Sequence, residues 1–409
     1  MSAIELYDLP TAMEPMFPMD PKGVLRARAI ELIRKSAALS NALHPLTRKS
    51  VAQIIKPMNS YYSNLIEGHA THPLDIERAM KNEYATDPDK KMLQQESKAH
   101  IEVQQMMEQW LRVEESSNVY SFDFISRIHR AFYKELPDAF RFVQTKEGNT
   151  VEVYPGQART GEVGVGAHIA PAANALPLFL KRFEDAYRSD NIDDPVKRII
   201  AAAASHHRLA WIHPFLDGNG RVMRLFTHAC FIQDKLDGEG LWSISRGFSK
   251  RQKEYRSALH NADLQRYNNY DGRGNLSDKG LHDFCLFFLD TAIDQIDFMQ
   301  NLLQLDAIQQ RIIRFVDLQK VHGHFREESK YILLEVFYKG QVYRKEMERI
   351  TGKSENTARG IMKELIEHEL LISDEVNGPV RINFPIKYVG YFFPKLYPEN
   401  IEGTLDLKL

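Results

Sequence analysis

Apolar positions recur at helical spacing along most of the chain. Between Lys22 and Ala42, the residues Val24, Ala27, Ile30, Ile33 and Ala37 fall three to four apart, which predicts an amphipathic helix with that face turned inward. A second helix is predicted from Leu46 or Thr47 to about Ile66, with Gly68 standing where a helix commonly stops. Residues 74–113 and 121–136 are predicted helical. The first of these carries a polar run, Lys90, Lys91, Gln94, Gln95, Glu96 and Lys98, which reads as a solvated face. The period then changes. Phe142 to Pro155 holds two short runs around Gly148-Asn149, a hairpin signal, and Val163-Gly164-Val165-Gly166 is a second extended piece. Pro195 is placed to open a helix at its first turn, running through Ile199, Ile200, Ala203 and His207 to about Ile212. Another helix follows Gly220. More fill the stretch to about Phe315, interrupted by a Gly/Asn/Asp loop at Asn268–Asn275.

The pattern from about Lys330 differs. It predicts helices over Tyr331–Tyr338, Arg344–Thr351 and Ser354–Glu369, with a turn at Gly352-Lys353. Extended runs follow around Gly378-Pro379, including Val380-Arg381-Ile382. Three helices and a hairpin in that order are the pattern of a winged helix-turn-helix. The expected fold class is therefore mainly α: a helical core with a small β-hairpin flap, plus a C-terminal winged helix-turn-helix domain. The expected division is an N-terminal helical region over 1–113, opening with an irregular arm over 1–20. A core over 114–300, a connecting helix over 301–329 and the winged module over 330–409 follow.

Composition narrows the function classes. The 409 residues are 43% hydrophobic and 26% charged, which excludes a disordered chain or a disulfide scaffold. With 53 Lys and Arg against 55 Asp and Glu, the formal charge of -2 exerts no global pull on DNA or a membrane, so either would need a local patch. Cys230 and Cys285 both lie in apolar helical patterns and are expected as reduced core residues of a reducing compartment. No apolar run approaches the roughly 20 residues of a membrane span. The start, Met1-Ser2-Ala3-Ile4-Glu5, lacks a basic region followed by an apolar one, so the expected location is the cytoplasm.

Chemistry concentrates in His213-Pro214-Phe215-Leu216-Asp217-Gly218-Asn219-Gly220-Arg221-Val222-Met223-Arg224. Pro214 disfavours the α region at His213, so the preceding helix should end there and leave an imidazole on a turn. Gly218 and Gly220 flank Asn219 at the start of the next helix, an arrangement that binds anions. Arg221 and Arg224 sit in the first turns of that helix on one face, where cations oppose the macrodipole unless an anion is bound. Phosphate suits that pair of guanidinium forks. Asp217 stands one residue before the nest, as a Mg²⁺ carboxylate does beside phosphates.

This stretch resembles the signature of the Fic family, His-x-Phe-x-Asp/Glu-Gly-Asn-Gly-Arg-x-x-Arg, and matches every fixed position. Similarity extends over about residues 120–290. Pro155-Gly156-Gln157-Ala158-Arg159 and Val163-Gly164-Val165-Gly166 look like the loop and flap that precede the motif in that family. The resemblance implies transfer of AMP from ATP to a Tyr, Thr or Ser hydroxyl of a target protein or of the chain itself. It implies His213 as general base and Asp217 as holder of Mg²⁺ (or Mn²⁺). Gly218, Asn219 and Gly220 would cradle the phosphates, Arg221 would hold the β-phosphate and Arg224 would pair with the γ-phosphate. Phe215 reads as a core anchor for the loop. Glu162, Val163, Gly164 and Val165 would register the target by backbone pairing. Tyr255 is a candidate for the adenine pocket.

Ser63-Asn64-Leu65-Ile66-Glu67-Gly68 matches the family's inhibitory pattern, Ser/Thr-x-x-x-Glu-Gly/Asn. Glu67 falls in the last turn of a helix, where the dipole disfavours an anion, and Arg224 is the expected partner that resolves this. Such a pair would occupy the arginine needed by the γ-phosphate. Removal of AMP, or use of another nucleotide-linked donor, remains an alternative within the same resemblance. A DNA-binding regulator using the core as a nucleotide sensor is another, which the retained His213 argues against. In the C-terminal module, the exposed candidates for DNA are Lys353, Asn356, Arg359 and Lys363. Residues 330–390 hold ten Lys and Arg against nine Asp and Glu, so a protein-docking or dimer-building role is favoured over DNA.

Overall fold

Helices dominate the computed structural model, which describes residues 7–114, 117–144, 148–165 and 168–398. The strands among those residues form three antiparallel pairs. Gly166 of the expected flap lies outside the described residues, as do residues 1–6 of the arm and 399–409 of the last module.

The first helix, Val24–Ser40, forms where expected but buries a different face. Leu25, Ala29, Leu32, Ser36 and Leu39 point inward, whereas Ala27 and Ala37 are exposed and Ile30 is 49% exposed. The segment carries two overlapping apolar rows, so periodicity supports both. Docking against the Asp278–Leu302 helix selects the row with the leucines. The next helix, Pro45–Ile66, ends with Glu67 as its C-cap residue and Gly68 at φ +92°, as the glycine predicted.

The single helix expected over 74–113 is two, Pro73–Met80 and Pro88–Val113. Asn82 turns the chain with φ +62°. Asp87 then caps the second helix by accepting from the Lys90 N–H at 2.9 Å, with Pro88 in its first turn. Within the expected polar run Lys90 and Lys91 are exposed, but Gln94 and Glu96 turn inward and open a buried polar row. Gln94, Glu96, Ser97, His100, Gln104 and Glu108 are all buried. Among the described residues, all but His100 have polar partners that repay the burial.

Phe122–Glu135 follows, capped by Ser121, and leads to a hairpin in which Phe142–Gln144 pairs with Thr150–Glu152. A second ribbon pairs Gly164–Val165 with His168–Ile169. The Pro195–Ile212 helix, capped by Asp194, then runs through the middle of the core. Ala201, Ala202, Ala203 and Ala204 are fully buried along it, and such small side chains let neighbouring helices approach closely. It packs on Val24–Ser40, Leu176–Tyr187, Asn219–Gln233 and Asp278–Leu302. Cys230 and Cys285 are free and buried in this core.

The C-terminal module shows the expected order. Ser329–Lys339 and Met347–Thr351 precede Glu355–Glu367, and Leu371–Ile372 pairs with Arg381–Ile382. It sits against the Pro45–Ile66 helix, where Thr47 donates to the Phe337 carbonyl at 2.7 Å and Ser50 to the Ile382 carbonyl at 2.6 Å. No described helix is long and apolar enough to cross a membrane.

Candidate active site

The Pro195–Ile212 helix stops at His213, which adopts φ +50°, ψ +63°, the left-handed cap that a following proline permits where α continuation is disfavoured. Arg159 fixes this turn. Its Nε donates to the His213 carbonyl and its backbone N–H to the Pro214 carbonyl, both at 2.9 Å. The guanidinium also reaches the carbonyls of Gly161 and Pro171. Phe215 is 1% exposed and stacks on His129 with centroids 3.9 Å apart, so it is the loop anchor expected of it.

Asn219 has a structural task that its spacing did not reveal. Its Nδ2 donates to the Phe215 carbonyl at 2.8 Å and its Oδ1 accepts from the Phe215 N–H at 2.9 Å. The side chain thus clamps the turn, and backbone N–H groups are what the helix start can offer to an anion. Gly218 caps that helix with φ +77°. A Cβ there would lie 3.0 Å from the Tyr133 ring. The close approach and the positive φ both select glycine.

The carboxylates and arginines form two pairs over this nest. Glu67 accepts from Arg224 Nη2 at 2.6 Å. Arg224 also donates through Nε to Ser63 Oγ at 2.8 Å and through Nη2 to the Ser63 carbonyl at 2.9 Å. Glu67 lies so close to the helix start that a Cβ on Gly220 would come within 2.2 Å of its Oε1. Burial would raise the Glu67 carboxyl, but Arg224, with Arg221 and His69, holds it below the ordinary range. Arg221 pairs with Glu96, a residue 1% exposed that also contacts His69 Nδ1 at 2.6 Å. Burial draws the Arg221 guanidinium down to about 10, so it stays charged at neutral pH. Among the carboxylates of the site, Glu96 is not singled out by the sequence. Its position four residues before His100, in a row with Gln104 and Glu108, was the signal available.

Asp217 is 42% exposed in its side chain. It accepts from the Tyr133 hydroxyl at 2.5 Å and lies 3.6 Å from Arg221. His129 supports the same turn: Nδ1 accepts from the Gly156 N–H at 2.8 Å, which leaves Nε2 to donate to the Asp217 carbonyl at 3.2 Å. Neither Tyr133 nor His129 was singled out from sequence, although their i, i+4 spacing places both on one face of Phe122–Glu135. No cluster of three His, Cys, Asp or Glu side chains suited to a metal occurs among the described residues. One half-exposed carboxylate fits a divalent cation only when phosphate oxygens complete its shell.

The His213 imidazole is pushed down to about 4 by burial, aided by nearby Arg159 and His168 and opposed by a hydrogen bond to the Ala210 carbonyl. It is neutral at pH 7. The ring nitrogen that does not face Ala210 carries a lone pair, the state a general base requires.

Tyr255 is packed into the core. It is 2% exposed, its hydroxyl contacts His206 Nε2 at 2.8 Å and its ring stacks on Phe248 at 4.3 Å. Phe248 covers one ring face and His206 meets the ring edge-on. In the flap, Glu162 accepts from the Ala173 N–H at 3.1 Å. Val163 accepts from the Ala170 N–H at 3.4 Å, and Gly164 and Val165 are opposed by Ile169 and His168. This ribbon has two strands, so each has an outer edge without a strand partner among the described residues.

The Fic/DOC family profile matches residues 119–231, a span that contains the whole His213–Arg224 turn and the helix carrying His129 and Tyr133. The chain carries a Fic domain. A curated relative, the protein adenylyltransferase Fic of Drosophila erecta, is 36% identical over 86 residues, 21% of this chain and 17% of its own length. The chain therefore spans less than a fifth of that relative. The Fic domain and its surroundings also share a fold with a Fic family protein of Desulfovibrio desulfuricans. The TM-score is 0.52 at 15% identity, over 91% of this chain and 99% of that one. Fic-1 of C. elegans gives 0.51 at 17%, over 68% and 72%. Glu67 and Ser63 precede the matched residues of the Fic domain.

Proposed function

We propose that the chain transfers AMP from ATP to a Tyr, Thr or Ser hydroxyl of a protein, itself included, and that Glu67 restrains it. The observation that carries the reading is a neutral His213 in the turn that leads to the Gly218 helix start, whose first turns carry Arg221 and Arg224. The name of the Drosophila erecta relative supports the same chemistry.

In this reading His213 accepts the hydroxyl proton as the target oxygen bonds the α-phosphorus. The α–β bridge breaks and pyrophosphate leaves with the bonding pair. Arg221 and Arg224 stabilise the charge that develops on the leaving phosphates, and the nest's N–H groups orient them. A divalent cation held by Asp217 with the phosphates would supply further neutralisation there. Tyr133, by donating to Asp217, sets the direction of that carboxylate.

Glu67 competes for this machinery. Its pair with Arg224 removes the guanidinium intended for the γ-phosphate, and its carboxylate fills space against Gly220. Glu67→Gly is expected to raise transfer of label from α-labelled ATP, including onto the chain itself. His213→Ala is expected to abolish it in both backgrounds. Unchanged transfer in Glu67→Gly would refute the restraint, and label transfer surviving His213→Ala would refute the base.

A further inference from the structure

Three helices meet along a polar seam that leads away from the Fic motif. On Pro45–Ile66 the residues Lys56, Ser60, Ser63 and Glu67 share one face. On Pro88–Val113 it is Glu96, His100, Gln104 and Glu108, and on Asn219–Gln233 it is Arg221, Arg224 and His228. At the motif end stand the Glu67–Arg224 and Glu96–Arg221 pairs. At the far end Lys56 meets Glu108 at 2.7 Å, Glu108 accepts from Gln104 at 2.9 Å and His228 lies 3.4 Å from both. Between the ends sits His100, fully buried beside Arg224 and His228, with neither ring nitrogen hydrogen-bonded among the described residues.

The far end opens into a cavity of about 850 Å³ between the Pro45–Ile66 helix and the C-terminal hairpin. Five cations line it: Arg48, Lys49, Lys56, Arg112 and Arg381. Three carboxylates share the cavity. Glu108 is held by Lys56 and His228, Glu239 is an exposed partner of Arg48, and burial raises the Asp237 carboxyl. Lys49 and Arg112 form no ion pair among the described residues, and both are exposed. A surplus of uncommitted cations in a concave site of this size suits a compact polyanion.

From this arrangement we infer that the cavity binds a phosphorylated small molecule, and that its binding loosens the hold of Glu67 on Arg224. The reading rests on AMP transfer being the activity restrained. Lys56 connects the two events. A phosphate that recruits its ammonium draws it from Glu108, whose rearranged contacts to Gln104 and His228 disturb the seam that seats Ser63 and Glu67. Pro57, next to Lys56, has no N–H for the Gln53 carbonyl, so the helix is weakest at the cavity wall, which Gln53 also lines.

Inorganic tripolyphosphate is the probe, with sulfate at equal ionic strength as the control. Calorimetry on the full chain is expected to give saturable binding that Lys49→Glu/Arg112→Glu weakens at least about tenfold. Lys49→Gln/Arg112→Gln should weaken it less, and Arg221→Ala, blind at the catalytic nest, should leave it intact. Hydrogen exchange over residues 56–68 should quicken on binding. AMP transfer by the unmodified chain should rise about fivefold or more, while Glu67→Gly should not respond. Equal affinity in the charge-reversed variant, or an equal effect of sulfate, would overturn the site. Binding without faster exchange over 56–68 would overturn the coupling. Absence of transfer in Glu67→Gly would instead overturn the AMP-transfer reading, and calorimetry and exchange would still decide this one.

Discussion

Burial changes what individual residues can do at the motif. A histidine with an ordinary value near 6.5 would lose half its basic form at that pH, whereas His213 is held to about 4. The general base is active when deprotonated, so lowering its value extends activity toward acid. In the Glu67→Gly background, transfer against pH should therefore keep its full rate down to about pH 5.5 and fall only as pH nears 4. A limb centred at 6.5 would contradict this environment for His213. Asn219 makes the second residue-scale prediction. With both amide atoms spent on Phe215, Asn219→Ala leaves a buried N–H and carbonyl without partners. It should lower unfolding free energy by about 1–3 kcal/mol in urea titration.

At the scale of elements, the same polar letters mean different things on different helices. The candidates for DNA in the Glu355–Glu367 helix are answered by their own neighbours: Arg359 pairs with Glu355 and Lys363 with Glu367, while Lys353 is taken by Glu328. Such a surface has few free cations with which to displace counterions. Anisotropy with duplex DNA at physiological salt should show no saturable binding, and any weak binding at low salt should vanish with a shallow slope against log salt. The Pro88–Val113 helix is the opposite case. Its Glu96, expected on a solvated face, is buried in a row with His100, Gln104 and Glu108. Composition does not distinguish the two rows, because both are polar throughout. Only the presence of a polar partner across the interface does so.

For the whole molecule, the buried titrating groups act together on stability. Burial holds His100 to about 3, and His129 and His213 to about 4. Each binds its proton more readily in the unfolded chain, so unfolding takes up protons below about pH 6.5 and stability falls as pH drops. Glu108, held to about 2 against the desolvation that opposes it by His228 and Lys56, works in the same direction below its ordinary value. Melting followed by circular dichroism should give a clearly lower Tm at pH 5 than at pH 7, with the loss concentrated between pH 6.5 and 4. His129→Asn should reduce that pH dependence, since it removes one of the depressed groups.

What the amino-acid sequence determined by itself was local. The Pro195 start, the His213 stop before Pro214, the Gly218-Asn219-Gly220 turn and the Glu67-Gly68 helix end follow from backbone restrictions of a few neighbouring residues, and all are present. The Glu67–Arg224 pair is not local: the resemblance named both residues, and the packing of two helices brought them together. Tertiary structure decided everything that depends on what lies across an interface. It chose the leucine row of Val24–Ser40 over the Ile30 row and split the segment at Asn82. It closed Tyr255 into the core and gave Arg221 a second carboxylate in Glu96. Helical periodicity places residues on a face, but the free energy of burying that face is set by the surface it meets.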